Sequence, residues 1–360
     1  MRYVEHVLPS GRSSRQEDAP SRTFPRLNSV RLAAYITTYD RPVHLADTLR
    51  RIMRQTTPPE EILVVDNGNN PDTRAVVELV AGERGVYHSM GFNAGPAGAG
   101  AYALETLVRA GYDWMYCGDD DDPPLTDDTF ARLLRLIDDV PEPAGAVGVI
   151  GSRWDWKWGV RERVRDLPKT GVYPVDVIGG GRQFIVSRQA VLTAGLPDAR
   201  LFFGQEDFEY CLRIRKHGFS IAVDADLFRL YGAMIHQRRT RVWRRGALRP
   251  PDEIWRQYYN TRNYIFFMRK GFESNRLAAL EAVKSIGRVL LSFKGGHRYA
   301  RSFAVLQLRG VVDGYLGRLG MTVPPTRKSR HAAPLLPSSV ERSGSGGALV
   351  NDQEPAPYPR

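Results

Sequence analysis

Cysteine is nearly absent. The 360 residues hold two, Cys117 and Cys211, with no CxxC or Cys/His spacing, which argues against a disulfide framework or a zinc site. Long apolar runs are missing as well. No stretch approaches the roughly 18 consecutive apolar residues of a membrane-spanning helix, and no basic start leads into an apolar run of about 7–15 residues as in a secretory signal. There is no Walker lysine, GxGxxG spacing, nucleic-acid-binding motif or internal repeat. The expectation is a reducing, cytoplasmic setting for a soluble chain, or one peripheral to the inner face of the plasma membrane, with no nucleic-acid partner.

Positive charge, by contrast, is plentiful. Lys and Arg total 51 against 40 Asp and Glu, a formal net charge of +11. From Arg238 to Arg330 the count is 21 Lys and Arg against 5 Asp and Glu, so this stretch alone exceeds the balance of the whole chain. One reading is a solvated basic face; another is attraction to an anionic lipid surface or a lipid-phosphate acceptor.

Residues 1–30 are polar and rich in Arg, Ser and Pro, too poor in apolar area to repay ordering, and are expected to form a flexible leader. From Arg31, strand-like apolar runs alternate with helical periodicity: Leu32 to Tyr35, Val43 to Gln55, Ile62 to Val65, Thr73 to Val80, a helix through Leu104 and Leu107, and Trp114 to Cys117. This predicts an α/β domain over 31–237, with a parallel sheet, crossover helices and ligand sites beyond the carboxyl ends of strands. The helical, amphipathic pattern from Trp255 onward predicts a basic helical C-terminal region over 238–325, and the Pro, Ser, Gly and Arg beyond it a disordered tail over 326–360. Trp154, Trp156 and Trp158 alternate with period two, which places three rings on one face of an extended segment, as core or as a platform for a sugar acceptor.

Chemistry concentrates where strands end. The run Asp119-Asp120-Asp121-Asp122 follows Trp114 to Cys117, and four adjacent carboxylates repel one another unless a cation or hydrogen bonds neutralise them. A hard divalent metal bridging to a diphosphate is one remedy, a solvated acidic turn the other. In an extended turn Asp119 and Asp121 point the same way and can share one ion. A second acidic pair, Glu206-Asp207, opens a helical run, where it serves either as a cap favoured by the helix dipole or as an ionised base. His236 is either structural or an imidazole ligand beside the carboxylates. The small-residue loop from Asn93 to Gly100 either packs a helix tightly or lets backbone approach a phosphate, and Asp66 either braces a turn or accepts from a base or ribose.

In this order, Ala34 to Pro42, Gln55 to Asn67, the acidic run and Glu206-Asp207 resemble family 2 glycosyltransferases of the GT-A fold. Asn93-x-Gly95, Leu201-Phe-Phe and Tyr258-Tyr-Asn-Thr-Arg-Asn263 narrow the likeness to galactofuranosyl- and rhamnosyltransferases of actinobacterial cell-wall assembly. The resemblance spans about 31–237 and implies a Rossmann-like, mixed and mainly parallel sheet flanked by helices, with a C-terminal helical extension. It further implies that Thr37, Asp66, Asn93, Gly95, Asp119 and Asp120 line the nucleotide-sugar site, and that Asp119, Asp121 and His236 ligate Mn2+ or Mg2+. Asp207 would be the catalytic base, with Glu206, Trp154, Tyr259 and Arg262 near the acceptor. A fourth aspartate departs from the family pattern and leaves the metal register open. The implied reaction inverts the anomeric centre in one displacement, from a nucleoside diphosphate to a glycan or polyprenyl-phosphate-linked glycan. The rivals are a nucleotidyltransferase, disfavoured because Thr37 to Pro42 replaces its Gly-rich basic signature, and a non-catalytic nucleotide-binding protein.

Overall fold

A computed structural model describes residues 30–162, 164–178, 183–239 and 248–326, with side chains to residue 234 in the third stretch. Apart from residues 30 and 326, the expected leader and tail lie outside the described residues.

Three units open the fold: β1 (Leu32–Thr38), α1 (Pro42–Met53), β2 (Glu61–Asp66), α2 (Pro71–Ala81), β3 (Gly85–Ser89), α3 (Gly95–Arg109) and β4 (Trp114–Asp119). Pro42 and Pro71 start their helices where a missing N–H costs nothing, and Asn70 caps α2 through the Asp72 N–H. There follow α4 (Thr129–Leu136), β5 (Ala144–Gly148), β6 (Arg153–Asp155), β7 (Val160–Glu162), β8 (Val172–Pro174), β9 (Phe184–Ser187), α5 (Arg188–Ala194), α6 (Glu206–Lys216), β10 (Ser220–Asp224) and α7 (Ala225–Arg239). Helices α8 (Ile254–Lys270), α9 (Asn275–Ser292) and α10 (His297–Leu316) close the described chain.

Eight strands form one sheet in the order β3-β2-β1-β4-β9-β5-β10-β8. The β3-β2-β1-β4 half is parallel, as is β5 with β10, whereas β9 and β8 run antiparallel to their neighbours. The sheet is therefore mixed and mainly parallel, flanked by helices. Because alternate strand residues point to opposite faces, Leu32, Ala34 and Ile36 join Ile62, Val64 and Tyr116 under α1, α2 and α4. On the other face Ala33, Leu63, Val65, Met115 and Cys117 meet α3, α5 and α6.

Two expectations change. Tyr264, Ile265, Phe267 and Met268 of α8 and Leu277 of α9 belong to that second core, so the boundary expected at 237/238 does not separate two cores. The tryptophan alternation is not one extended face either. Only Trp154 lies in β6; the chain turns at 156–159, where the Asp155 carboxylate accepts from the Lys157 and Trp158 N–H groups, leaving Trp156 and Trp158 exposed while Trp154 is buried.

Candidate active site

The parallel register aligns three strand ends, Thr38 beside Asp66 and Thr37 beside Asp119, so the acidic run emerges where β1 and β2 also stop. Its four carboxylates receive different environments. Thr37 Oγ1 donates to Asp119 Oδ1 at 2.6 Å. Asp120 is buried, accepting from Thr38 Oγ1 at 2.7 Å and Arg41 Nη1 at 3.0 Å, while its carbonyl accepts from Thr48 Oγ1. Asp121 is half exposed and paired with Arg41 at 2.5 Å. Gln183 Nε2 donates to Asp122 Oδ1 at 3.0 Å, and Gln183 Oε1 accepts from Leu125 N–H, which holds the turn to the start of β9. Asp120, expected at the nucleotide sugar, is thus turned into the protein.

Asp119 is under electrostatic pressure. Burial and the carboxylates of Asp207, Asp120 and Asp121 push it up to about 7, with the Thr37 hydroxyl opposing. Burial also pushes Asp120 up, to about 6, against the relief from Arg41. Asp207, 88 residues on in sequence, is therefore a neighbour of the acidic run. It lines a small pocket with Glu206, Tyr35, Ala97, Gly100, Cys117 and Tyr210. Burial and the Asp207 charge raise Glu206 well above the usual carboxylate range. Glu206 and Asp207 occupy the first turn of α6, whose N-cap position is held by Gln205, at φ 71° and with no side-chain cap hydrogen bond, so Asp207 is not the N-cap residue.

The strap from Leu201 to Gln205 that delivers this pair is clamped by α8. Arg262, fully buried, donates to the carbonyls of Leu201 at 2.8 Å and Gly320 at 2.6 Å; Asn263 Nδ2 donates to those of Leu201, Phe203 and Gly204 at 2.7–3.0 Å. Tyr259 donates to the Val323 carbonyl at 2.6 Å and is equally buried. Arg262 and Tyr259, expected at the acceptor, are buried, with Arg262 bonded to the strap and both bonded to carbonyls of the 320–323 segment. Beside the strap opens a cleft of about 850 Å³, lined by Gln205, Phe208, Gln257, Lys284, Arg288 and Trp154, whose buried Nε1 has no hydrogen-bond partner among the described residues.

Asp66 accepts from Gly68 N–H at 2.8 Å, Asn70 N–H at 3.3 Å and Tyr87 Oη at 3.0 Å, and so braces the turn after β2. At the start of α3, Asn93 Oδ1 accepts from Gly95 N–H, Asn67 Oδ1 from Ala94 N–H and the Phe202 carbonyl from Ala97 N–H. These N–H groups face protein oxygens. Gly95, at φ 71°, is required because a β-carbon would overlap the Phe202 carbonyl. The loop therefore packs the Phe202 strap rather than cradling a phosphate through those three groups. His236 lies on α7, and its side chain is outside the described residues. Gln183 was not singled out in sequence, and Arg41 and Asn263 stood out only as members of longer motifs; their partners, far away in the chain, reveal what they hold.

Residues 34–191 match the sequence profile of glycosyl transferase family 2. The chain thus contains a glycosyl transferase family 2 domain. It is 25% identical over 244 residues, 64% of this chain and 79% of the relative, to galactofuranosyltransferase GlfT1 of Mycobacterium tuberculosis. The corresponding figures for GlfT1 of Mycolicibacterium smegmatis are 23% over 247 residues, 64% and 81%. Among solved structures, GalNAc-T7 with UDP, GalNAc and Mn2+ is 17% identical, covering 55% of this chain and 43% of that one at a TM-score of 0.45. Mannosyltransferase PcManGT of Pyrobaculum calidifontis, with GDP-Man and Mn2+, is 16% identical, covering 83% and 90% at 0.41.

No three His, Cys, Asp or Glu side chains converge as a ready metal cage among the described residues. The glycosyltransferase nevertheless has a donor set that fits a divalent cation in another way. A hard ion bound with a diphosphate needs only one or two protein carboxylates, phosphate and water oxygens supplying the rest. The pressure on Asp119 is what such an ion relieves.

Proposed function

We propose that this glycosyltransferase moves a sugar, galactofuranose as first choice and rhamnose as second, from a nucleoside diphosphate to a hydroxyl of a glycan or lipid-linked glycan, with inversion. The observation that carries this reading is the meeting of Asp207 with Asp119, a helix-start carboxylate beside a strand-end carboxylate, at the carboxyl edge of the sheet. Asp207 accepts the proton of the acceptor hydroxyl as that oxygen attacks the anomeric carbon, and the bonding pair to the diphosphate departs from the opposite face. Glu206, whose raised pKa favours its protonated form, stands beside it with a buried carboxyl oxygen that has no hydrogen-bond partner among the described residues. Thr37 orients Asp119, and Arg41 orients Asp121. Asp119 and Asp121, with His236 as a further ligand, would hold Mn2+ or Mg2+, which neutralises charge on the leaving diphosphate when bound.

The cleft beside Gln205 is the proposed acceptor groove, with Trp154 offering an indole N–H and Lys284 offering positive charge. The names of the GlfT1 relatives support galactofuranose as donor sugar. A lipid-linked acceptor and peripheral attachment to the inner face of the plasma membrane follow from the basic C-terminal region. A panel of nucleotide sugars, each with Mn2+, tests the reading by thermal stabilisation, because a ligand that binds only the native state raises its melting temperature. UDP-galactofuranose or dTDP-rhamnose is expected to give the largest metal-dependent rise. No rise with any sugar nucleotide would defeat the proposal.

A further inference from the structure

Helices α9 and α10 each bury one face, through Leu277, Ala278 and Ser285 on α9 and Phe303, Gln307 and Gly310 on α10. Opposite each buried face runs a row of exposed apolar side chains. On α9 it comprises Val283, Ile286 and Leu290, with Phe293 just beyond; on α10 it comprises Val305, Leu308, Val312 and Leu316. Spacings of three and four keep each row on one side of its helix. At 64% exposed for Val283, 67% for Leu290 and 60% for Leu316, these are not residues at the margin of a core.

Charge around the rows is of one sign. The acidic residues from Asn275 to Thr326 are Glu281 and Asp313, both buried, the first paired with Arg288 and the second with Arg309 and Arg318. Lys294, Arg298 and Arg301, at the α9–α10 turn and the start of α10, are exposed and make no ion pair among the described residues. The described residues include no helix long and apolar enough to cross a membrane.

We propose that this outward face of α9 and α10 is a docking surface for an anionic lipid bilayer, its apolar rows entering the boundary between headgroups and acyl chains while Lys294, Arg298 and Arg301 meet lipid phosphates. A second copy of the chain would also cover the apolar rows, but it would bring unpaired cations face to face. An acidic bilayer satisfies both features.

The test is sedimentation of the full chain with phosphatidylglycerol–phosphatidylcholine vesicles and with phosphatidylcholine vesicles alone. Wild type is expected to bind the first and not the second, with affinity falling as salt rises. Each Lys or Arg near such a surface contributes about fivefold, so a Lys294→Gln, Arg298→Gln, Arg301→Gln variant should bind on the order of a hundredfold more weakly. Ile286→Gln with Leu290→Gln should also weaken binding, by at least roughly tenfold. Both variants change exposed side chains and should melt like wild type. Wild-type-like vesicle binding by either variant overturns the proposal, as does wild type that ignores anionic vesicles. A solution dimer that Leu290→Gln dissociates, without vesicle binding, assigns the face to a second copy. Failure of the sugar-nucleotide panel leaves these outcomes unchanged.

Discussion

Asp207 sits in the first turn of α6 and not at its N-cap position, and Asp207→Asn removes proton affinity while keeping the side chain's size and one acceptor oxygen. Transfer is expected to drop by about 10²–10⁴-fold while donor affinity stays near wild type, a pattern that product assay and donor calorimetry resolve. Transfer within a few-fold of wild type would shift the base role to Glu206. Asp121 is half exposed, and Asp121→Ala is expected to abolish Mn2+-dependent donor binding in the same calorimeter. Asp119 and Asp120 add a pH dependence. Their folded pKa values, about 7 and about 6, exceed the ordinary 3.8, so the folded state holds these protons more tightly than the unfolded chain. The stability this contributes is fully present below the unfolded value and disappears as pH rises through 6–7. Metal-free protein should therefore melt higher near pH 5 than near pH 8 as far as this pair is concerned. Asp119→Asn should flatten that difference in differential scanning calorimetry; an unchanged slope would show that Asp119 is not its source. The acidic run was legible in sequence because adjacent carboxylates demand relief. Which two of the four face inward was not, since Thr38, Arg41 and Gln183 lie on other elements.

At the scale of elements, the α8 clamp holds the strap that leads into Glu206-Asp207. Arg262→Leu removes two hydrogen bonds from a buried guanidinium to the carbonyls of Leu201 and Gly320, each contributing about 1.5–3 kcal/mol. A lower melting temperature is expected, with kcat falling more than donor affinity, because the strap leads into Glu206-Asp207. If kcat per folded molecule were unchanged, the clamp would serve stability alone. Gly204→Ala acts on the same strap: at φ 77° an added β-carbon is strained and meets Asn260 Oδ1. The hexapeptide Tyr258 to Asn263 stood out in sequence, yet its job did not. Arg262 and the Leu201 carbonyl are 61 positions apart, and no local pattern announces that a buried guanidinium will hold a distant backbone strap. The tryptophans illustrate the same limit: a turn braced by Asp155 interrupts a periodicity that reads as one strand.

For the whole molecule, a chain truncated after Gln237 loses Tyr264, Ile265, Phe267 and Met268 from the core beneath the sheet. Removing them exposes a large apolar surface, so the truncated chain should lack cooperative thermal unfolding; a sharp, wild-type-like transition would restore the boundary at 237. The alternation of strand and helix from Leu32 to Asp119 was determined by sequence alone, because period-two and period-3.6 burial are local properties that neighbouring residues enforce. So was the concentration of acid at strand ends. The insertion of antiparallel β9 between β4 and β5, the inward turn of Asp120 and the meeting of Asp207 with Asp119 were decided only in three dimensions. Each depends on residues distant in sequence, and a buried charge finds its partner only after the sheet has closed around it.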